Sequence, residues 1–125
     1  MHQVLIALGS NYHQNAHILW ASERLSCMLH DVHLSRKLWT QDIHGTGKWY
    51  MNRLVAGVTS LSLDEINKKL KEIETENHRN KECVTLDLDL MLFDQERFHL
   101  RDWPRPYIQR LLPDIKQFIS YENND

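Results

Sequence analysis

The sequence predicts an α+β fold of the ferredoxin-like kind. In this β-α-β-β-α-β chain, a four-stranded antiparallel sheet carries two helices on one face and a helical segment follows at the carboxyl end. Three observations predict it. Residues 2 to 9 form an apolar run stopped by Gly9-Ser10-Asn11, the mark of a central strand covered on both faces. Ser62-Leu63-Asp64-Glu65 is a capping box that opens a helix. Thr85 to Phe93 alternates with period two, so that Leu86, Leu88, Leu90 and Leu92 face one way and Asp87 and Asp89 the other.

The elements follow in order. After the first strand, Ile18, Ala21, Leu25 and Met28 recur at helical spacing, which predicts an amphipathic helix over about Gln14 to Leu29, started by Asn11 or a neighbour. Trp20 extends that stripe or marks its edge. Val32 to Thr40 reads as one strand, and Gln41 to Trp49, with two glycines, as a loop. Tyr50 to Leu61 resumes strand character, with Asn52 unusual inside it. The capped helix places Leu63, Ile66, Leu70 and Ile73 at steps of three and four and ends near Asn77. His78 to Val84 is a charged connector into the Asp-bearing strand. Asp94-Gln95-Glu96-Arg97 turns the chain, Trp103-Pro104-Arg105-Pro106 is rigid and extended, and Tyr107 to Ile119 is a last helix kinked or restarted at Pro113.

The chain of 125 residues is one domain, 1–125, by the usual size prior. A net charge of -2 argues against nucleic-acid binding through bulk positive charge. No apolar run is long enough for a membrane span and no leader pattern is seen, so a cytoplasmic protein is expected. Cys27 and Cys83 lack metal-ligand spacing and read as reduced thiols, Cys27 buried on the first helix. Among the eight histidines, His13 and His17 have the i, i+4 spacing of a metal pair but no accompanying ligand motif, and surface histidines are expected there.

Asp87 and Asp89 are the chemically informative pair. On a strand they stand roughly 6.5 to 7 Å apart at the backbone, on a face shared with Thr85, Met91 and Phe93. As the wet face of an edge strand they need no partner. Partly dehydrated, they raise each other's pKa unless a cation lies between them, and magnesium, which binds through one or two carboxylates plus substrate phosphates, is the natural one. The opposite side of the predicted sheet is open, so the pair would lie on the floor of a cleft. Thr40, Tyr50 and Asn52, Arg79 and Lys81, and Arg105 and Arg110 would wall it.

Leu8-Gly9-Ser10-Asn11, Tyr50-Met51-Asn52, Ile73-Glu74 and above all Thr85-Leu86-Asp87-Leu88-Asp89-Leu90-Met91-Leu92-Phe93 resemble the 6-hydroxymethyl-7,8-dihydropterin pyrophosphokinase family of folate biosynthesis. The resemblance implies transfer of pyrophosphate from ATP to the pterin hydroxymethyl oxygen with release of AMP. It implies two magnesium ions on Asp87 and Asp89, a pterin pocket of Thr40, Tyr50 and Asn52, and a catalytic, triphosphate-binding Arg79 beside Lys81. It also places Glu74 with the nucleotide-binding residues, and leaves Arg105 and Arg110 to supply further charge. The expected partners are pterin and ATP, with neither nucleic acid nor membrane.

The chain departs from the family pattern in three places. Thr40-Gln41-Asp42 stands where the family has Thr-Pro-Pro. Glu82-Cys83-Val84 replaces a Trp-Gly-Pro-Arg stretch. The carboxyl lobe is curtailed to Trp103-Pro104-Arg105-Pro106 and a brief helix. These losses motivate the alternative of a catalytically degenerate paralogue that binds pterin or nucleotide as a regulatory or interaction module.

Overall fold

The computed structural model describes residues 1–42, 44–76 and 85–121. Its element order is β1 (His2–Ser10), α1 (Gln14–Met28), β2 (His30–Leu34), β3 (Leu38–Gln41), β4 (Trp49–Thr59), α2 (Leu63–Glu76), β5 (Asp87–Phe93), β6 (Glu96–Arg97) and α3 (Pro106–Ile115), with a short 3-10 turn at Lys116–Phe118. All strand pairs are antiparallel in the order β2-β4-β1-β5-β6, and β3 also pairs with β4. No helix among the described residues is long and apolar enough to cross a membrane.

The sheet has six strands rather than the expected four. One reason lies in residues 32 to 40, expected as a single strand. The chain steps out of the ladder at Ser35-Arg36-Lys37, and β2 and β3 pair with different parts of β4. Buried Ser35 spans the gap, its Oγ accepting from Leu54 N at 2.8 Å and its own N–H donating to Leu54 O at 2.9 Å. The other reason is that Glu96 and Arg97, expected in a turn, return as the two-residue strand β6 against Phe93 and Leu92.

Strand β1 explains its unbroken apolarity by being covered on both sides, with Val4 to Leu8 all buried. Val4, Ile6 and Leu8 pack with Met51, Val55, Leu86, Leu88 and Leu90 beneath α1 and α2. Leu5 and Ala7 pack with Leu54, Ala56, Met91 and Leu92 beneath α3 and Trp103. The second sheet face is therefore half covered, where the sequence reading left it open. The core of α3 is Ile108, Leu111, Leu112 and Ile115. Pro106 sits in its first turn, where no amide hydrogen is needed, and the helix ends two residues beyond Pro113.

The four leucines of Thr85 to Phe93 do not share one face. The β1–β5 register pairs Leu5 with Leu92 but Ile6 with Leu90, so Met91 is an extra residue. That bulge sends Leu92 to the α3 side with Met91, while Leu86, Leu88 and Leu90 stay under α1 and α2.

Helix α2 has its expected cap: Ser62 Oγ accepts from Glu65 N at 3.2 Å, and Glu65 Oε1 accepts from Ser62 N at 3.0 Å. The Ser62 backbone N–H, and after it the Ser62 hydroxyl, hold the Glu65 carboxyl below its ordinary value. Helix α1 begins at Gln14 as expected, behind a left-handed His13 (φ 43°) that makes no side-chain cap. Cys27 is exposed, a correction, because the buried stripe of α1 runs through Ile18, Ala21, Ser22 and Leu25 and position 27 falls on the far side.

Candidate active site

Where α3 stops covering the second sheet face, a cavity of about 260 Å³ opens over the ends of β1, β4 and β5. Its floor is set by register. Gly9 pairs with Asn52 on one side and Asp87 on the other, and one step along Ala7 pairs with Leu54 and Asp89. The sheet therefore holds Asn52, Gly9 and Asp87 in one row across three strands, which puts Asn52 and Asp87 about 9.5 Å apart at the backbone. A Cβ on Gly9 would lie 3.5 Å from Asn52 Oδ1 and 3.8 Å from Tyr50 Cδ1, so the glycine keeps the middle of the floor low.

The neutral end of the cavity is built by β3 and β4. Asn52 is buried and its Nδ2 donates to Thr40 Oγ1 at 2.7 Å, which orients the amide and leaves it a second N–H and a carbonyl oxygen to offer. Tyr50 lines the same end, and its hydroxyl accepts from Asn11 Nδ2 at 3.2 Å. Gln41, Asp42 and His44 form the rim. The Asp42 carboxylate closes its own turn, taking hydrogen bonds from Thr46 Oγ1 and His44 N, and the Thr46 hydroxyl foremost lowers its pKa.

The acidic end gathers Asp87 and Asp89 of β5 with Asp102 and Tyr107. His99 Nε2 lies 3.9 Å from Asp89 Oδ1, and Arg105 Nε donates to Asp102 Oδ1 at 2.7 Å. One ligand atom each from Asp89, His99 and Asp102 lies within 4.8 Å of the other two. The Tyr107 hydroxyl is pushed up to about 12, first by burial and then by the negative charge of Asp102 and Asp89. It therefore stays an O–H donor at neutral pH.

The structure thus brings Thr40, Tyr50, Asn52, Asp87 and Asp89 to one cavity. Glu74 stands at the edge of the sheet, where its Oε2 accepts from Leu88 N at 2.8 Å and ties α2 to the start of β5. Arg105 is reached through its bond to Asp102, while Arg110 is exposed on α3 with its carbonyl accepting from Arg36 Nη2. Arg79 and Lys81, like Cys83, lie outside the described residues. Sequence reasoning missed His99, Asp102 and Tyr107. No periodicity marks the first two, and only the rigid Trp103-Pro104-Arg105-Pro106 segment between them and the helix hinted that neighbouring side chains are held.

The donor set fits a hard divalent cation: Asp87 and Asp89 of one strand face line the cavity, with a third carboxylate, Asp102, close to Asp89. A polar pocket at one end and a group of carboxylates at the other have the form of a small-molecule site. The sequence model of 7,8-dihydro-6-hydroxymethylpterin-pyrophosphokinase matches residues 5–117, and the chain belongs to that family. Comparison with curated proteins found no match.

Proposed function

We propose that the protein transfers pyrophosphate from MgATP to 6-hydroxymethyl-7,8-dihydropterin, releasing AMP, in folate biosynthesis. The observation that carries this reading is the row Asn52–Gly9–Asp87, which joins a hydrogen-bonding pocket to a pair of carboxylates across one low floor. Membership of the family supports it.

In this reading the pterin ring enters at the neutral end. Thr40 holds the Asn52 amide so that its remaining donor and acceptor meet the ring, and Tyr50 lies against the ring face. The hydroxymethyl oxygen then points along the floor toward β5, over Gly9. It attacks the β-phosphorus and gives up its hydroxyl proton to solvent, the bond from that phosphorus to the α,β-bridging oxygen breaks, and AMP leaves with that oxygen. Two magnesium ions bound by Asp87 and Asp89 would neutralise the phosphates and the developing charge. Phosphoryl transfer depends chiefly on positioning and charge, so the sheet's part is to fix the reacting groups over a rigid floor. Tyr107 contributes a hydroxyl donor facing the phosphates. Arg79 and Lys81 would meet the triphosphate as in the family pattern, and Arg105, held by Asp102, adds a cation at the rim.

The test is AMP formation from MgATP with and without the pterin, in wild type, Asp87→Ala and Asp89→Ala. Pterin-dependent AMP is expected, falling by about a hundredfold or more in each variant. The replacement of Trp-Gly-Pro-Arg by Glu82-Cys83-Val84 favours a second reading, a binder without efficient chemistry. Ligand-induced thermal stabilisation without AMP release would establish that second reading instead.

A further inference from the structure

The turn between β6 and α3 brings a second set of metal-binding donors to the acidic end of the cavity, and these donors are not all oxygen. His99 supplies an imidazole nitrogen, Asp102 a carboxylate, and Asp89 is common to this set and to the strand pair. The three residues come from two separate elements. The turn that carries His99 and Asp102 is firmly held: Asp102 N donates to His99 O at 2.8 Å, Arg105 N to Asp102 O at 3.0 Å, and Gln109 Nε2 to Trp103 O at 2.6 Å. Trp103 is buried beneath it and its Nε1 donates to Phe98 O at 2.9 Å. Arg105 in turn holds the Asp102 carboxylate at 2.7 Å, the kind of supporting bond that orients metal ligands.

The spacing is near that of a coordination shell. Two donors about 2.1 Å from one ion at right angles are roughly 3 Å apart. His99 Nε2 and Asp89 Oδ1, at 3.9 Å, need close by only about an ångström, within reach of a side-chain rotation at a half-exposed histidine. The donor chemistry then selects the ion. An all-oxygen set suits magnesium, whereas an imidazole among carboxylates shifts the preference to transition ions, least for manganese and more for zinc.

We propose that Asp89, His99 and Asp102 form a divalent transition-metal site at one wall of the cavity, so that this chain binds Mn2+ or Zn2+ there in preference to Mg2+. The proposal rests on Asp89 being a metal ligand, as in the functional reading above, and extends it to two residues and to the choice of ion.

The experiment uses metal-free full-length protein titrated with Mn2+ and followed by electron paramagnetic resonance, with pulsed measurements of coupling to 14N. Wild type is compared with His99→Asn, a residue that tolerates the left-handed backbone of position 99 (φ 53°), and with Asp102→Asn. Retention of the far-ultraviolet circular dichroism spectrum and thermal midpoint is checked in both. Wild type is expected to show 14N coupling and to hold Mn2+ about tenfold or more tightly than Mg2+ by competition. His99→Asn should lose the coupling and the preference, and Asp102→Asn should weaken Mn2+ by about tenfold. Absence of 14N coupling in wild type, or unchanged Mn2+ affinity in both folded variants, overturns the proposal. Pterin-dependent AMP formation with Mg2+ reports separately on the activity, so either idea can fail alone.

Discussion

Tyr107 shows how a single side chain registers its surroundings. It sits partly buried at the start of α3 among Asp102, Asp89 and Asp87, and both its desolvation and those charges oppose ionisation, raising it to about 12. In the unfolded chain a tyrosine titrates near 10. Between those two values the unfolded state has lost the proton and the folded state keeps it, so the folded state loses stability as pH rises from about 10 to about 12 and is unaffected below. For the metal-free protein the loss is at most ~2 kcal/mol once screening of this partly exposed group is allowed for. Urea unfolding at pH 8 and pH 11 checks it: the alkaline loss should shrink in Tyr107→Phe, and an equal loss in both proteins would show that Tyr107 is not its source. At the same scale, Asn52 was legible in the sequence as an odd polar residue in a strand. Thr40 was legible as a wall of the cleft, but its bond to Asn52 was not, because twelve residues separate them and β3–β4 pairing brings them together.

Among the elements, the main strands and helices formed as expected, while the details set by pairing, a bulge, a split strand and a short return strand, did not. Helix α2 is the clearest case of the first kind, since the Ser62–Glu65 exchange and the Ile66, Leu70, Ile73 stripe lie within a dozen residues. Ser62→Ala should therefore cost about 1 kcal/mol, read as a lowered urea midpoint with unchanged denaturant sensitivity. No loss would mean that the cap is redundant to the packing of α2. The bulge at Met91 is the second kind. Period two alone predicts four leucines on one side, but strand pairing with β1 inserts an extra residue after Leu90 and turns Leu92 over, where it helps seat α3. The same holds for β6, too short to carry a pattern, and for the split into β2 and β3 at Ser35.

For the whole molecule, the decisive feature is that helices cover both sheet faces unequally. Helices α1 and α2 cover one face, while α3 covers only part of the other, and the uncovered remainder is the cavity. The carboxyl end is secured to the first strand through Gln3, whose side chain exchanges hydrogen bonds with the backbone of Ser120, while Asp94 takes bonds from His2 and the Gln3 backbone. Removing the fully buried Leu111 side chain as Leu111→Ala should cost about 2–5 kcal/mol. Because Tyr107 lies in the first turn of the same helix, with Arg105 and Asp102 just ahead of it, substrate KM should rise along with the loss of stability. A normal KM in the destabilised protein would show that the cavity wall is held independently of α3.

The sequence by itself determined the character of the central strand, both main helices, the placement of Asp87 and Asp89 on one strand face, and, through its motifs, the family. All of these depend on neighbours a few residues apart or on a contiguous string of residues. Only the tertiary structure decided how many strands the sheet has, that α3 folds over half of its second face, and that His99, Asp102 and Tyr107 stand beside Asp89. The physical reason is distance along the chain. Register, bulges and the docking of one element on another arise from contacts between residues tens of positions apart, and no local pattern of polarity records which of the possible partners each residue meets.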